Sequence, residues 1–188
     1  AIELTDKMIQ DFYDPQKQVF VDSPTHGEQL ITEPINFYDN ATPSGISEAV
    51  KALQKLHSIT NNKNYLDILI SQYSIIGHLI GEFPSGFSNW LKVLLMHNND
   101  TVQVCLISYD LPSVSQMQKF LYKKFLPNKV IVGNSSFPKH REDTKRLSPL
   151  FQERVPEEDK ATVFICNNYT CELPINSINL LESSIFGA

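Results

Sequence analysis

Asn98-Asn99-Asp100-Thr101-Val102-Gln103-Val104-Cys105-Leu106-Ile107 is the stretch at which the chain changes its periodicity. Val102 to Ile107 is an apolar run rich in β-branched residues, the pattern of a strand buried on both faces. Pro112-Ser113 then opens a helix with Val114, Met117, Phe120 and Leu121 on one side, and Lys129 to Val132 reads as a second strand closed by Gly133. Strand, helix and strand at this spacing predict a parallel βαβ unit. Further on, Ala161 to Ile165 reads as a third strand and Ile175 to Phe186 as a closing helix. The polar stretch from Asn134 to Asp159 reads as a surface excursion with a short helix near Leu147.

Before Asn98 the apolar residues recur at helical spacing instead. Leu4, Met8 and Phe12 mark one stripe, ending at Asp14-Pro15. Residues 15–43 carry four prolines and read as irregular, with a short strand at Val19-Phe20-Val21. Ile46, Ala49, Val50, Leu53 and Leu56 define a helix that Ser44 is placed to cap. Tyr65, Ile68, Leu69, Ile76, Leu79 and Ile80 define a second, and Phe87, Trp90, Leu91, Leu94 and Leu95 a third that starts at Pro84-Ser85. Short connections favour antiparallel neighbours, so this half reads as helical hairpins. The fold expected is mixed: helical hairpins over residues 1–98, then a small α/β unit over residues 99–188.

Composition excludes several functions. The 188 residues carry 16 Lys+Arg against 21 Asp+Glu, a formal net charge of -5. Phosphate neutralisation demands a basic face, so no nucleic-acid partner is expected. The cluster Lys119, Lys123 and Lys124 reads as a solvated helix face. No run reaches the roughly 18–20 apolar residues of a membrane span. Seven glycines form neither GxGxxG nor GxxxxGK[ST], so no nucleotide cofactor loop of the usual kind is present. Five histidines and three cysteines show no metal-ligand spacing, and neither a metal nor a cofactor is expected. Ala1-Ile2-Glu3-Leu4-Thr5 has no signal-peptide layout and reads as the interior of a helix. A cytoplasmic location and a place within a longer protein are the expectations.

Three constellations could carry chemistry. Phe37 to Ser47 runs from the long loop into a helix N-terminus, offering a carboxylate, an amide and three hydroxyls beside unpaired N–H groups. It suits a polyol-binding lip; equally, Ser44 caps, Pro43 stiffens, and Asp39 and Asn40 satisfy turn backbone. Asp22, Glu28, Glu33 and Asp39 are the acids to consider for paired-carboxylate chemistry. Ser108-Tyr109-Asp110 follows the first buried strand, where open parallel sheets bind ligands, although an ordinary connection also reads this way. Cys166 and Cys171 enclose four polar residues. No basic residue flanks them, so free, partly buried thiols are expected, with redox exchange as the alternative.

Asp39-Asn40-Ala41-Thr42-Pro43-Ser44-Gly45-x-Ser47, Phe125-Leu126-Pro127-Asn128-x-Val130 and Thr162-Val163-Phe164-Ile165-Cys166-Asn167-Asn168-Tyr169-Thr170-Cys171-x-x-Pro174 occur in this order. In that order they resemble the C-terminal portion of one family, the bacterial YyaL proteins and the spermatogenesis-associated thioredoxin-like proteins. The resemblance implies a longer chain, with a thioredoxin-like domain followed by an (α/α) toroid of the six-hairpin glycosidase type. This chain would then hold an incomplete toroid, partnered by the rest of its own chain or by self-association. By analogy of fold the ligand is a carbohydrate. The alternative is a non-catalytic scaffold for the thioredoxin-like domain. Asp39, Asn40, Thr42, Ser44 and Ser47 match the family's rim motif, and Cys166 and Cys171 its C-terminal cysteine pair. Ile46 stands where the family usually has Asn, Glu33 where a basic residue is expected, and Gln18-Val19 in place of Gly-Gly.

Overall fold

The computed structural model describes residues 1–24, 26–27, 35–135, 137, 139, 141–157 and 160–186. Of the shortlisted acids, Glu28 and Glu33 lie outside these residues. The chain divides into two compact units, Ala1–His57 with Asn62–Asn99 and Ser58–Asn61 with Asp100–Ala188. The architecture is mixed, with seven α-helices and two small sheets among the described residues.

In the first unit, α1 (Ile2–Phe12) leads into a hairpin of β1 (Tyr13–Asp14) and β2 (Val19–Phe20). The helices α2 (Gly45–Thr60), α3 (Lys63–Glu82) and α4 (Ser88–Asn98) follow. A 3-10 turn, Pro84–Phe87, separates the last two. On α2 and α3 the inward residues are those that the helical spacing picks out, Ile46, Val50 and Leu53 on the first and Tyr65, Leu69 and Ile76 on the second. On α4 the expected stripe holds only in part: Trp90 is buried, but Leu91 and Leu95 are exposed and Val93 faces inward instead, because the buried face turns through Asn89, Trp90 and Val93. Leu4 departs from the expected stripe and is exposed, whereas Thr5 is buried. The buried face of α1 runs through Thr5, Met8, Ile9 and Phe12, one position round the helix from Leu4, Met8 and Phe12. The Tyr65 hydroxyl fixes this rotation by donating to Asp6 Oδ1 at 2.6 Å.

The β1–β2 turn is held twice. Asp14 Oδ1 accepts the N–H groups of Gln16 and Lys17 at 2.8 and 3.0 Å, which also holds its carboxyl below the usual range. Gln18 adopts φ 54°, and its carbonyl accepts from the buried Gln72 side chain on α3 at 2.7 Å.

The second unit is a four-stranded sheet of order β4-β3-β5-β6, formed by β3 (Val102–Ile107), β4 (Lys129–Asn134), β5 (Thr162–Asn167) and β6 (Thr170–Cys171). β3 and β4 are parallel, Val102 opposite Lys129 through Ile107 opposite Asn134, and α5 (Leu111–Lys123) crosses between them. The expected βαβ unit is therefore present. β4 continues through Gly133, where the sequence suggested an end. β5 runs antiparallel to β3, with Cys105 opposite Phe164, so the sheet is mixed rather than wholly parallel. The chain reaches β5 from β4 by way of α6 (Arg141–Leu147) and the 3-10 turn Pro149–Phe151.

Alternation along β3 feeds two cores. Val104 and Leu106 meet Val114, Met117 and Leu121 of α5 and Leu181 of α7 (Ile178–Phe186). Cys105 and Ile107 meet Leu150, Phe151, Phe164 and Cys166 on the other face. The last helix starts three residues later than its apolar spacing suggests. Ile175, just after Pro174, instead exchanges both backbone hydrogen bonds with Val163.

The inward side of α5 gives a direct test. Leu121 is fully buried and Lys119 exposed. In denaturant unfolding, Leu121→Ala should cost about 2–5 kcal/mol, and Lys119→Ala should stay within about 0.5 kcal/mol. Equal costs for the two would contradict the placement of this helix.

Candidate functional site

The rim motif folds around one buried carboxylate. Ser44 caps α2 as its sequence suggests, its hydroxyl accepting the Ser47 N–H at 3.1 Å. Asp39, which is 6% exposed, lies behind that cap. Its Oδ1 accepts from the Ser44 N–H at 2.9 Å and from the Ser47 hydroxyl at 2.7 Å. Its Oδ2 accepts from the N–H groups of Asn89 and Trp90, at 2.7 and 3.3 Å. The one carboxylate thus serves the N-termini of both α2 and α4, where unpaired N–H groups and the helix dipole favour negative charge. Around it, the Asn89 side-chain amide donates to Ser47 Oγ and to Glu48 Oε1, each at 3.0 Å. The backbone closes the same loop, with Asp39 N–H donating to Gly86 O at 2.8 Å and Trp90 Nε1 donating to Phe37 O at 2.9 Å.

The five candidate residues therefore separate. Asp39, Ser44 and Ser47 are buried, and their polar atoms are engaged with one another and with α4. Asn40 and Thr42 are exposed at the turn outside them, the Asn40 N–H donating to Thr42 O at 3.0 Å. A cavity of about 230 Å³ lies behind the same helix, lined by Asp22, Gly45 and apolar side chains of α1 and α2. It is smaller than the usual small-molecule pocket and has one carboxylate on its wall. Asp22 meanwhile accepts the Asn36 N–H at 3.1 Å. Sequence reasoning did not find Asn89 and Gly86. Their signal is the helix start after Pro84, with nothing local to say which carboxylate it would meet.

Ser108-Tyr109-Asp110 proves to be a helix start. Asp110 caps α5, its carboxylate accepting the Ser113 N–H at 2.8 Å and the Ser113 hydroxyl at 2.9 Å. These bonds hold its carboxyl below the usual range.

The cysteines depart from the expected free thiols: Cys166 and Cys171 are joined as a disulfide. They are directly opposite each other on β5 and β6, because Asn168 and Tyr169 form a two-residue turn with φ of 48° and 63°. Positive φ at both central positions matches the twist of a tight hairpin. The Tyr169 N–H is held by Gln103 Oε1 at 2.8 Å. The basic neighbour absent from the local sequence comes from far along the chain. Arg154 Nη2 donates to Cys171 Sγ at 2.8 Å, and its guanidinium lies 5.4 Å from the centre of the Phe164 ring. Nothing in the polar excursion containing Arg154 signals this pairing.

Among the described residues, no group of three or more His, Cys, Asp or Glu comes together to hold a metal ion. No described helix is long and apolar enough to cross a membrane.

Comparison with known proteins gives one consistent relative. The chain is 23% identical over 177 residues to mouse spermatogenesis-associated protein 20, which covers 93% of this chain and 22% of that protein. It is 22% identical over 138 residues to the human protein of the same name, covering 73% of this chain and 17% of that one. The chain thus spans about a fifth of the length of the curated relatives it matches. No family model matches the chain, and no solved structure does. The chain is distantly similar to spermatogenesis-associated protein 20.

Proposed function

We propose that residues 1–188 act as a partner-binding scaffold within a longer chain, non-catalytic at the Asp39–Ser47 motif, the helices of the first unit being hairpins of a six-hairpin glycosidase-like toroid. The observation that carries this reading is the occupancy of Asp39. Both oxygens of the motif's buried carboxylate already accept bonds from two helix starts, leaving none directed at a ligand. The partner is the remainder of the longer chain. In support, Leu91 and Leu95 lie one turn apart on α4 and are 41% and 64% exposed, and relatives carry some four-fifths of their length outside the matched region. The carbohydrate reading retains one favourable observation: Tyr38, Asn40 and Thr42, close together in the same loop, are all exposed.

Two outcomes separate these readings. Asp39→Ala removes the acceptor that serves two helix starts, each comparable with a cap at roughly 0.5–2 kcal/mol, and should destabilise the protein by about 1–4 kcal/mol. In a thermal-shift screen on the full-length protein, mono- and oligosaccharides should leave Tm unchanged. A sugar that raises Tm in the native protein, but not in Asn40→Ala or Thr42→Ala, would establish the carbohydrate reading instead.

The scaffold reading also predicts the behaviour of residues 1–188 alone. Light scattering should show concentration-dependent self-association, reduced by combining Leu91→Glu with Leu95→Glu. A clean monomer with no dye-accessible apolar surface would contradict it.

A further inference from the structure

We propose that the Cys166–Cys171 hairpin is a two-electron thiol–disulfide exchange site in which Cys171 is the reacting sulfur, Arg154 holds its thiolate, and Cys166 is the resolving sulfur. The two sulfurs are unequal in ways that assign these roles. Cys166 is 1% exposed and packs with Cys105, Ile107 and Phe164, so no external thiol reaches it first. Cys171 is half-buried, on the two-residue edge strand β6, and Arg154 donates to its sulfur. A cation placed against a sulfur favours thiolate over thiol, and the thiolate is the nucleophile.

Arg154 is itself poised for this task. Among the described residues no carboxylate pairs with it, and its Nε is buried without a hydrogen-bond partner. Packed against the Phe164 ring, it keeps its charge beside Cys171 rather than in solvent. Cys105, the third sulfur, is unsuited to the reacting role, because burial pushes its thiol up to about 12 despite the nearby Arg154 charge.

The exchange balances with a dithiol of protein or small-molecule origin as co-reactant. One thiolate of the dithiol attacks Cys171 Sγ, forming a mixed disulfide as the S–S bond breaks and Cys166 leaves as the thiolate, which takes up a proton. The second thiolate of the dithiol then attacks its own sulfur in the mixed disulfide, leaving Cys171 as the thiolate against Arg154. The dithiol is oxidised to a disulfide by two electrons and the hairpin is reduced by the same two. In the opposite direction the Cys171 thiolate attacks an external disulfide, and Cys166 displaces the product.

Dithiothreitol and oxidised glutathione serve as probes on the full natively purified chain. Before reduction, iodoacetamide should label neither Cys166 nor Cys171 by mass spectrometry. After reduction by dithiothreitol and its removal, Cys171 should be labelled at least about tenfold faster than Cys166 and Cys105 at neutral pH. Arg154→Gln should slow Cys171 labelling about tenfold, and Arg154→Lys should restore part of that rate, which loss of packing alone would not do. With oxidised glutathione, reduced Cys166→Ser should accumulate a mixed disulfide at residue 171, and reduced Cys171→Ser should form none. If Cys166 is labelled first in the native protein, or Cys171 reacts no faster than Cys105, the assignment is wrong.

Discussion

A buried carboxylate must be fully paired, because an uncompensated charge out of water costs several kcal/mol. Asp39 meets that demand with four donors drawn from the first turns of two helices. Much of the first unit's arrangement follows from this. The loop from Ile35 to Pro43 is pinned at Asp39, whose own N–H reaches Gly86 across the 3-10 turn before α4. The turn delivers Phe87 and Trp90 into the core, and Trp90 returns a hydrogen bond to Phe37 on the same loop. A segment with no helix or strand of its own is thereby fixed through side-chain acceptors, as an irregular segment must be when it carries backbone donors inward.

The two motifs with chemical residues use them in opposite ways. In the Asp39–Ser47 motif every buried polar group is consumed internally, so its residue types, which suit sugar binding, serve to join two helix starts. In the Cys166–Cys171 hairpin the pairing is also internal, yet it leaves a half-buried sulfur beside a guanidinium with no carboxylate partner among the described residues. Polar residues at a helix start or turn thus identify neither a site nor a structural device until their partners are known.

What was legible in the sequence is what local periodicity and capping determine. The run from Val102 to Ile107 gave the central strand, Pro112-Ser113 the crossover helix, and Ser44 the cap of α2, since each depends on neighbours within a few residues. The missing parts depend on distant partners. The rotation of α1 from Leu4 to Thr5 is set by Tyr65, and the antiparallel course of β5 is expressed in its pairing with β3, about 60 residues earlier. Ile175 leaves its helical spacing because Val163 offers a bridge, and Arg154 reaches a cysteine 17 residues away in sequence. The candidate site was legible in its residues and not in its bonding. Asp39 and Ser47 read as a cluster in the sequence, while the side that consumes them, Asn89 and Trp90, lies about 50 residues on.

Amide hydrogen exchange tests the claim about Asp39 most directly, because it reads the donors themselves. First-turn amides of a helix with no side-chain cap exchange freely, and α1 supplies that reference in the same molecule at Glu3 and Leu4, since Ala1 makes no capping hydrogen bond. The amides of Ser44, Asn89 and Trp90 should exchange much more slowly than these two, and should lose that protection in Asp39→Ala. Exchange of the three at the rate of Glu3 and Leu4 in the native protein would mean that the carboxylate does not hold the two helices, and the structural account of the motif would fail.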